Sequence, residues 1–245
     1  MKKLFWALAL MFTTVNMALS QVNLNIDWGY EGLYSSSVQE PEQIREDNYE
    51  KYVFVNSFRI NVMPEIMLSK RFSIMSGLRF SYNQGVFKNK KGEYNNNDNI
   101  MYWLSDSRGA DVYYYSIDAI RQKTMCIGVP VAGKFNIRGN DVFFSPFIKV
   151  GGSLNFGINN KYDAVMSDSK MSKHKSEIED AMADDNIIYG SAWGSAGLQL
   201  GTKQKFAFEV IIPTFIFGTH SAFADVNWGF GGAVSWIIPL SKSNN

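Results

Sequence analysis

From Asn23 onward, apolar and polar residues alternate in long runs, and each run is bounded by turn-forming residues. Successive side chains of a strand point to opposite faces, so a period of two predicts strands with two unlike faces. In the first run, Leu24, Ile26, Trp28 and Tyr30 share one face, and Asn23, Asn25, Asp27, Gly29 and Glu31 share the other. The pattern predicts eight strands: Asn23 to Leu33, Tyr52 to Val62, Phe72 to Tyr82, Lys123 to Phe135, Val142 to Phe156, Ile187 to Leu200, Phe206 to Phe217 and Asp225 to Leu240. Ser69-Lys70-Arg71, Arg138-Gly139-Asn140-Asp141 and Thr202-Lys203-Gln204-Lys205 read as turns.

Each predicted strand has about 10 residues or more, longer than the roughly 5–6 of soluble sheets. The connections alternate in length. Those after the second, fourth and sixth strands are short, while the others are about 18, 40, 30 and 7 residues. Short turns on one side and long loops on the other are the plan of an outer-membrane barrel, whose even strand number and apolar bands with aromatic ends also fit. The expectation is an all-β fold: an eight-stranded antiparallel up-and-down transmembrane β-barrel with long extracellular loops and a short helix in the third loop. A soluble sandwich or lipocalin-like barrel would turn its apolar face inward and would need no aromatics at both strand ends. Pro130, Pro146, Pro213 and Pro239 fall within strands. Proline cannot donate to the ladder, so bulges or local breaks are expected there.

Lys2 and Lys3 precede an apolar stretch, Leu4 to Phe12, and Ala18-Leu19-Ser20 ends it with small residues. This is the pattern of a secretory signal peptide over 1–20, with the barrel domain over 21–245. The apolar stretch is shorter than the ~20 residues a spanning helix needs. Cleavage would leave 22 basic against 23 acidic residues, a near-neutral exported chain. The whole chain carries a net charge of +1, which argues against a strongly basic nucleic-acid binder. One cysteine, Cys126, excludes an intramolecular disulfide, and two histidines, His174 and His220, leave little for a metal centre. No cofactor is expected.

Three segments carry a family likeness. They are Ser76-Gly77-Leu78-Arg79-Phe80-Ser81-Tyr82-Asn83, Ile127-Gly128-Val129-Pro130-Val131-Ala132-Gly133-Lys134-Phe135 and Ser145-Pro146-Phe147-Ile148-Lys149-Val150-Gly151-Gly152. A glycine-centred third strand, an Ile…Pro…Lys fourth strand and a Pro-aromatic…Gly fifth strand resemble the PorT-like, porin-family outer-membrane β-barrel proteins. In plan the chain is also similar to the small membrane domains of the OmpA and OmpX type. The resemblance covers essentially residues 21–240 and brings no catalytic residues. It implies contact with outer-membrane lipid, passage through the barrel-assembly machinery during insertion, and an envelope or secretion-complex protein as a further partner.

On the polar face, Asp27, Glu31, Glu209 and Asp225 oppose Arg59, Arg79, Lys134 and Lys149. An eight-stranded barrel is just wide enough for side chains to fill it. These eight residues are therefore expected to form a balanced ion-pair network that plugs the interior. A water-filled lumen is the alternative.

The first loop is mildly acidic, with Glu40, Glu42, Glu46, Asp47 and Glu50 against Arg45 and Lys51. In the second, Tyr113-Tyr114-Tyr115 either forms binding surface or extends the fourth strand. In the third, Ser169 to Asp184 has helical spacing, but its basic N-terminal end opposes the helix dipole, so it needs packing on the barrel mouth. His220-Ser221 brings the two residue types of a hydrolase pair side by side. Adjacent strand residues point to opposite faces, and the lipid A deacylase barrels use His-x-Ser instead. The functional expectation is a non-enzymatic outer-membrane protein acting structurally or through surface loops, by adhesion or envelope-protein association. The alternatives are an accessory subunit of a secretion or uptake complex, a narrow solute channel and a lipid A hydrolase.

Overall fold

The computed structural model describes residues 22–35, 44–45, 53–88, 101–105, 113–166, 169–182, 187–218 and 226–240. Eight strand positions close into a ring. β1 (Val22–Ser35) pairs with β3 (Val53–Met67), and β3 pairs with β4 (Phe72–Ser76) and β5 (Leu78–Lys88), which share one position. Both pair with β7 (Tyr113–Asn136), followed by β8 (Phe144–Met166), β9 (Ile188–Leu200), β10 (Lys205–Gly218) and β11 (Val226–Pro239). β11 then returns to β1, from Asn23↔Pro239 to Ser35↔Val226. Every pairing is antiparallel, and apart from the β1–β11 closure each joins successive strand positions of the ring, so the ring is up-and-down. β2 (Ile44–Arg45) and β6 (Met101–Ser105) add a small annex to the loop-side end of β7.

The two faces are inverted relative to a soluble domain. Asp27 is 0% exposed and Arg59 4%, whereas their neighbours Trp28 and Phe58 are 45% and 55% exposed. The charged alternates point inward and the large apolar ones point out. On β7 the outward column runs apolar from Phe135 to Met125. Ten steps of ~3.4 Å, tilted by ~40°, give a belt about 25 Å high, the apolar band of a membrane barrel. At its loop-side margin Tyr34 stacks on Trp228 at 4.9 Å and meets Phe54 edge-on at 5.0 Å between ring centroids.

The strand prolines are accommodated in more than one way. At Pro213 the β9–β10 register shifts between Ile211 and Thr214, a bulge of two residues against one. Pro130 stays in register with Ser153, and the break falls on its other neighbour: the predicted third strand is split at Gly77, whose N–H reaches Pro130 O at 3.4 Å. A Cβ at Gly77 would lie 2.9 Å from Met63 Cα, so only glycine lets the strands approach there. Pro146 and Pro239 lie near strand ends, where little pairing is lost. Pro64 sits inside β3 opposite Leu24, and the strand runs on to Met67, past the expected end at Val62.

The turn after β7 spans Ile137 to Phe143, longer than the four residues expected. Gly139 takes a φ of 97° there, which aims Asn140 back under the barrel. Asn140 accepts from Gln199 Nε2 at 2.8 Å and from Lys205 Nζ at 2.9 Å, closing the turn side.

The largest departure from expectation is on the loop side. β7 and β8 each run about ten residues further, paired as far as Ile117↔Met166, with a bulge at Met125/Cys126. β8 leaves β9 after Phe156, so this hairpin stands above the ring. The expected helix over Ser169 to Asp184 is a 3-10 turn, Ser169–His174, followed by α1 (Lys175–Met182). Lys170 and Lys173 oppose an α-helix dipole at its start, and the α-helix begins only after them. α1 packs on β8 through fully buried Ile178, and Ala164 N–H donates to Glu179 Oε1 at 3.0 Å. No helix among the described residues is long and apolar enough to cross a membrane.

Candidate functional site

Alternation places the interior side chains. Asp27 and Glu31 come from β1, Arg59, Asn61 and Glu65 from β3, and Arg79 from β5; Lys134, Lys149, Lys205 and Glu209 complete the charged set from β7, β8 and β10. At the centre, Lys149 Nζ sits 2.6 Å from Glu209 Oε1 and 3.5 Å from Asp27 Oδ2. Ser195 Oγ donates to Glu209 at 2.9 Å. Asp27 accepts from Asn61 Nδ2 at 2.8 Å and Ser235 Oγ at 3.3 Å, and lies 3.8 Å from Arg59 Nε. Arg59 Nη1 donates to Glu31 Oε1, whose second oxygen accepts from Thr214 Oγ1 at 2.7 Å. The Trp193 ring lies between the two cations, 5.3 Å from Arg59 Cζ and 5.2 Å from Lys149 Nζ, within cation–π reach.

A second cluster fills the turn side. Glu65 accepts from Ser73 Oγ at 2.6 Å and lies 3.6 Å from Lys134 Nζ. Lys134 donates to Gln199 Oε1 at 2.6 Å and sits 4.8 Å from the Phe147 ring centroid. Lys205 donates to the Asn140 carbonyl and side chain. Glu65 and Lys205 escape sequence reading, Glu65 because it follows Pro64 and Lys205 because it reads as a turn residue. Continuing the alternation of Met63, Glu65 and Met67 through the proline would have found the first.

Asp225 and His220-Ser221 lie outside the described residues. The other seven expected lumen charges are buried on the inner face. With Glu65 and Lys205 included, four carboxylates face five cations among the described residues. Arg79 is the member held by neutral groups: Nε donates to Asn61 Oδ1 and Nη1 to Ser153 Oγ, both at 2.8 Å. It borders a void of about 20 Å³ shared with Glu31, Arg59, Ser81, Tyr189 and Thr214, room for about one water. A far larger space of about 1110 Å³ is bordered by exposed outer-face side chains such as Trp28, Phe58 and Phe208 and also by the inward residues Arg59, Ser81 and Glu209. Cys126 is buried beside Tyr189 and Ile187 as a packing residue. No cluster of metal-ligating side chains occurs among the described residues.

The rim is the second chemical feature. On the outer face of the β7–β8 extension, Arg121 opposes Asp163 and Lys123 opposes Lys161. Asp163 lies 3.6 Å from Arg121 Nη1 and accepts from Lys175 Nζ at 2.5 Å, and Lys175 is 3.6 Å from Glu179. The hydrogen bond from Lys175 holds the Asp163 carboxyl below its ordinary 3.8, and the same contact holds Lys175 above its ordinary 10.5. This ion pair ties α1 to the hairpin.

No family model and no curated protein sequence matches the chain. Several solved structures are similar in fold, at low identity. Neisserial surface protein A is 8% identical with a TM-score of 0.32, over 89% of this chain and 96% of that one. Ail, the attachment invasion locus protein of Yersinia pestis, in complex with the heparin analogue sucrose octasulfate, is 12% identical with a TM-score of 0.33, over 89% and 97%. The translocator domain of the autotransporter NalP from Neisseria meningitidis is 9% identical with a TM-score of 0.32, over 96% of each chain.

Proposed function

We propose that this chain is a bacterial outer-membrane β-barrel with a filled interior, acting without catalysis through its rim and loops. The observation that carries this reading is the inversion of the ring: charged residues packed inside and an encircling apolar belt outside. Water would not tolerate that belt, whereas hydrocarbon requires it, and closure of the ring satisfies the backbone as a bilayer demands. The signal-peptide pattern over residues 1–20 supports export, and the PorT-like resemblance of the third, fourth and fifth strands supports an envelope role.

Two measurements test the proposal. Refolded protein is expected to insert into lipid vesicles and to migrate differently on gels before and after boiling. In a planar bilayer it is expected to pass no stepwise current, because the ion pairs occupy the lumen. A chain that stays monomeric in water without detergent would sink the membrane reading, and discrete conductance steps would sink the filled interior.

The β7–β8 hairpin, with α1 docked on it, favours a second reading as an accessory subunit. It presents an ordered surface above the ring on which another envelope protein could seat. A stoichiometric partner in a mild-detergent pull-down, lost on deleting residues 159–186, would establish it.

A further inference from the structure

The outward column of β7 changes character abruptly. Met125 is the last apolar member, and Lys123 and Arg121 follow it at the same spacing. On β8 the change comes between Ile158 and Lys161. Lys123 lies two residues beyond Met125, about 7 Å along a strand rising ~3.4 Å per residue. The headgroup layer on each side of the hydrocarbon is about 5–8 Å thick. Lys123 and Lys161 therefore sit at headgroup height and Arg121 just beyond it, where its long side chain can reach back, if the belt marks the hydrocarbon as proposed above.

Lys123 and Lys161 are also direct cross-strand partners. Like charges placed opposite each other on one face destabilise a sheet. Asp163 lies near enough to act on Lys123, but its direct contacts go to Arg121 and Lys175, and no ion pair of Lys123 or Lys161 is found among the described residues. Elsewhere the loop-side rim is different in kind: β1, β3 and β11 carry Tyr34, Phe54 and Trp228 near their loop-side ends. The positive charge is thus local, and an anion with several oxygens would turn its repulsion into attraction.

We propose that Arg121, Lys123 and Lys161 form a binding site for the phosphate groups of an outer-leaflet membrane lipid. The inference rests on the membrane reading. Its ligand class is a phosphorylated lipid anchored beside the belt, with its acyl chains along Met125, Phe156 and Ile158.

The test uses the full chain in nanodiscs of phosphatidylcholine containing a minority of diphosphorylated lipid A, with native mass spectrometry of the lipid that stays bound. Wild type is expected to retain lipid A in preference to phosphatidylcholine. Lys123→Gln and Lys161→Gln are each expected to lower that preference roughly fivefold, the worth of one cation near a charged surface. Lys173→Gln, an equal charge change on the 3-10 turn, should leave it unchanged. Asp163→Asn removes the nearest negative charge and should raise it. Failure of the wild type to enter phosphatidylcholine nanodiscs overturns the membrane reading and this site with it. Insertion without preference for lipid A, or an equal loss in Lys173→Gln, overturns the site alone. Release of lipid A by inorganic phosphate at equal phosphate concentration overturns the lipid as its occupant.

Discussion

Asp27 and Trp28 are neighbours in the chain and face opposite solvents. Asp27 is surrounded by Lys149, Arg59, Asn61 and Ser235, while Trp28 stands on the outside among other apolar side chains. On the inner face each charged side chain has a named partner, although Arg59 Nη2, Arg79 Nη2 and Glu65 Oε2 find no hydrogen bond among the described residues. Within the belt the outer face asks chiefly for apolar area, the hydroxyl of Tyr30 on Asn56 being a polar exception. The inside is therefore sensitive to which residue is lost, and the outside to what polarity is introduced.

The largest effect is expected inside. Asp27→Leu leaves Lys149 and Arg59 buried with one carboxylate fewer. Breaking a buried pair in this way costs about 3–5 kcal/mol, read as the denaturant midpoint of the refolded barrel in vesicles. An unchanged midpoint would erase the distinction on the inner side. Next comes Phe80→Arg, which places on the outer face the same guanidinium that its neighbour Arg79 carries inside. At the bilayer midplane this costs about 2–4 kcal/mol, falling toward the interfaces. No loss in lipid would mean that the outer face meets water.

Arg79→Met sharpens the comparison within the lumen. Arg79 donates hydrogen bonds to Asn61 and Ser153 but has no carboxylate within ion-pair distance among the described residues. Loss of those bonds is offset by relief of a buried charge, so the net change should stay within about 1–2 kcal/mol. A penalty as large as that of Asp27→Leu would show that Arg79 belongs to the charge-paired set.

The smallest effect lies at the rim and depends on pH. Asp163 is held below 3.8, so its contribution to docking α1 is fully present above that value and is lost as pH falls through the depressed one. Lys175 is held above 10.5, so its contribution is present below that value and is lost as pH rises through the raised one. The protection factor of the Ala164 amide, bonded to Glu179, should therefore hold between the two and fall outside them. A midpoint near neutrality would mean that another group holds the helix.

The ring was legible because period two survives even where hydrogen bonding does not. Phe72, Ile74, Leu78 and Phe80 keep one phase across Gly77, so the alternation hides the break between β4 and β5. The extension of β7 was signalled by Tyr113-Tyr114-Tyr115, which do prolong that strand; the length of β8 was not legible, because above the belt its outward residues turn polar and the apolar signal stops. Among the charges, Asp27, Arg59 and Glu209 could be assigned to one face from sequence. Which cation meets which anion could not, because that depends on register between strands distant in the chain: Lys149 and Glu209 belong to strands separated by β9.

The ring is sealed by the first and last strands, with Ser235 reaching Asp27 across 208 residues. Closure of so long a loop must wait for the end of the chain. Until then both β1 and β11 are open edges, and an open edge is a template for pairing with the wrong chain. The order of events during maturation follows: the polypeptide must be kept from folding until β11 is available, and the final zipping step completes the hydrogen bonding around Asp27. On the proposed membrane reading, insertion has a single commitment point, late in the process, at the seam between β1 and β11.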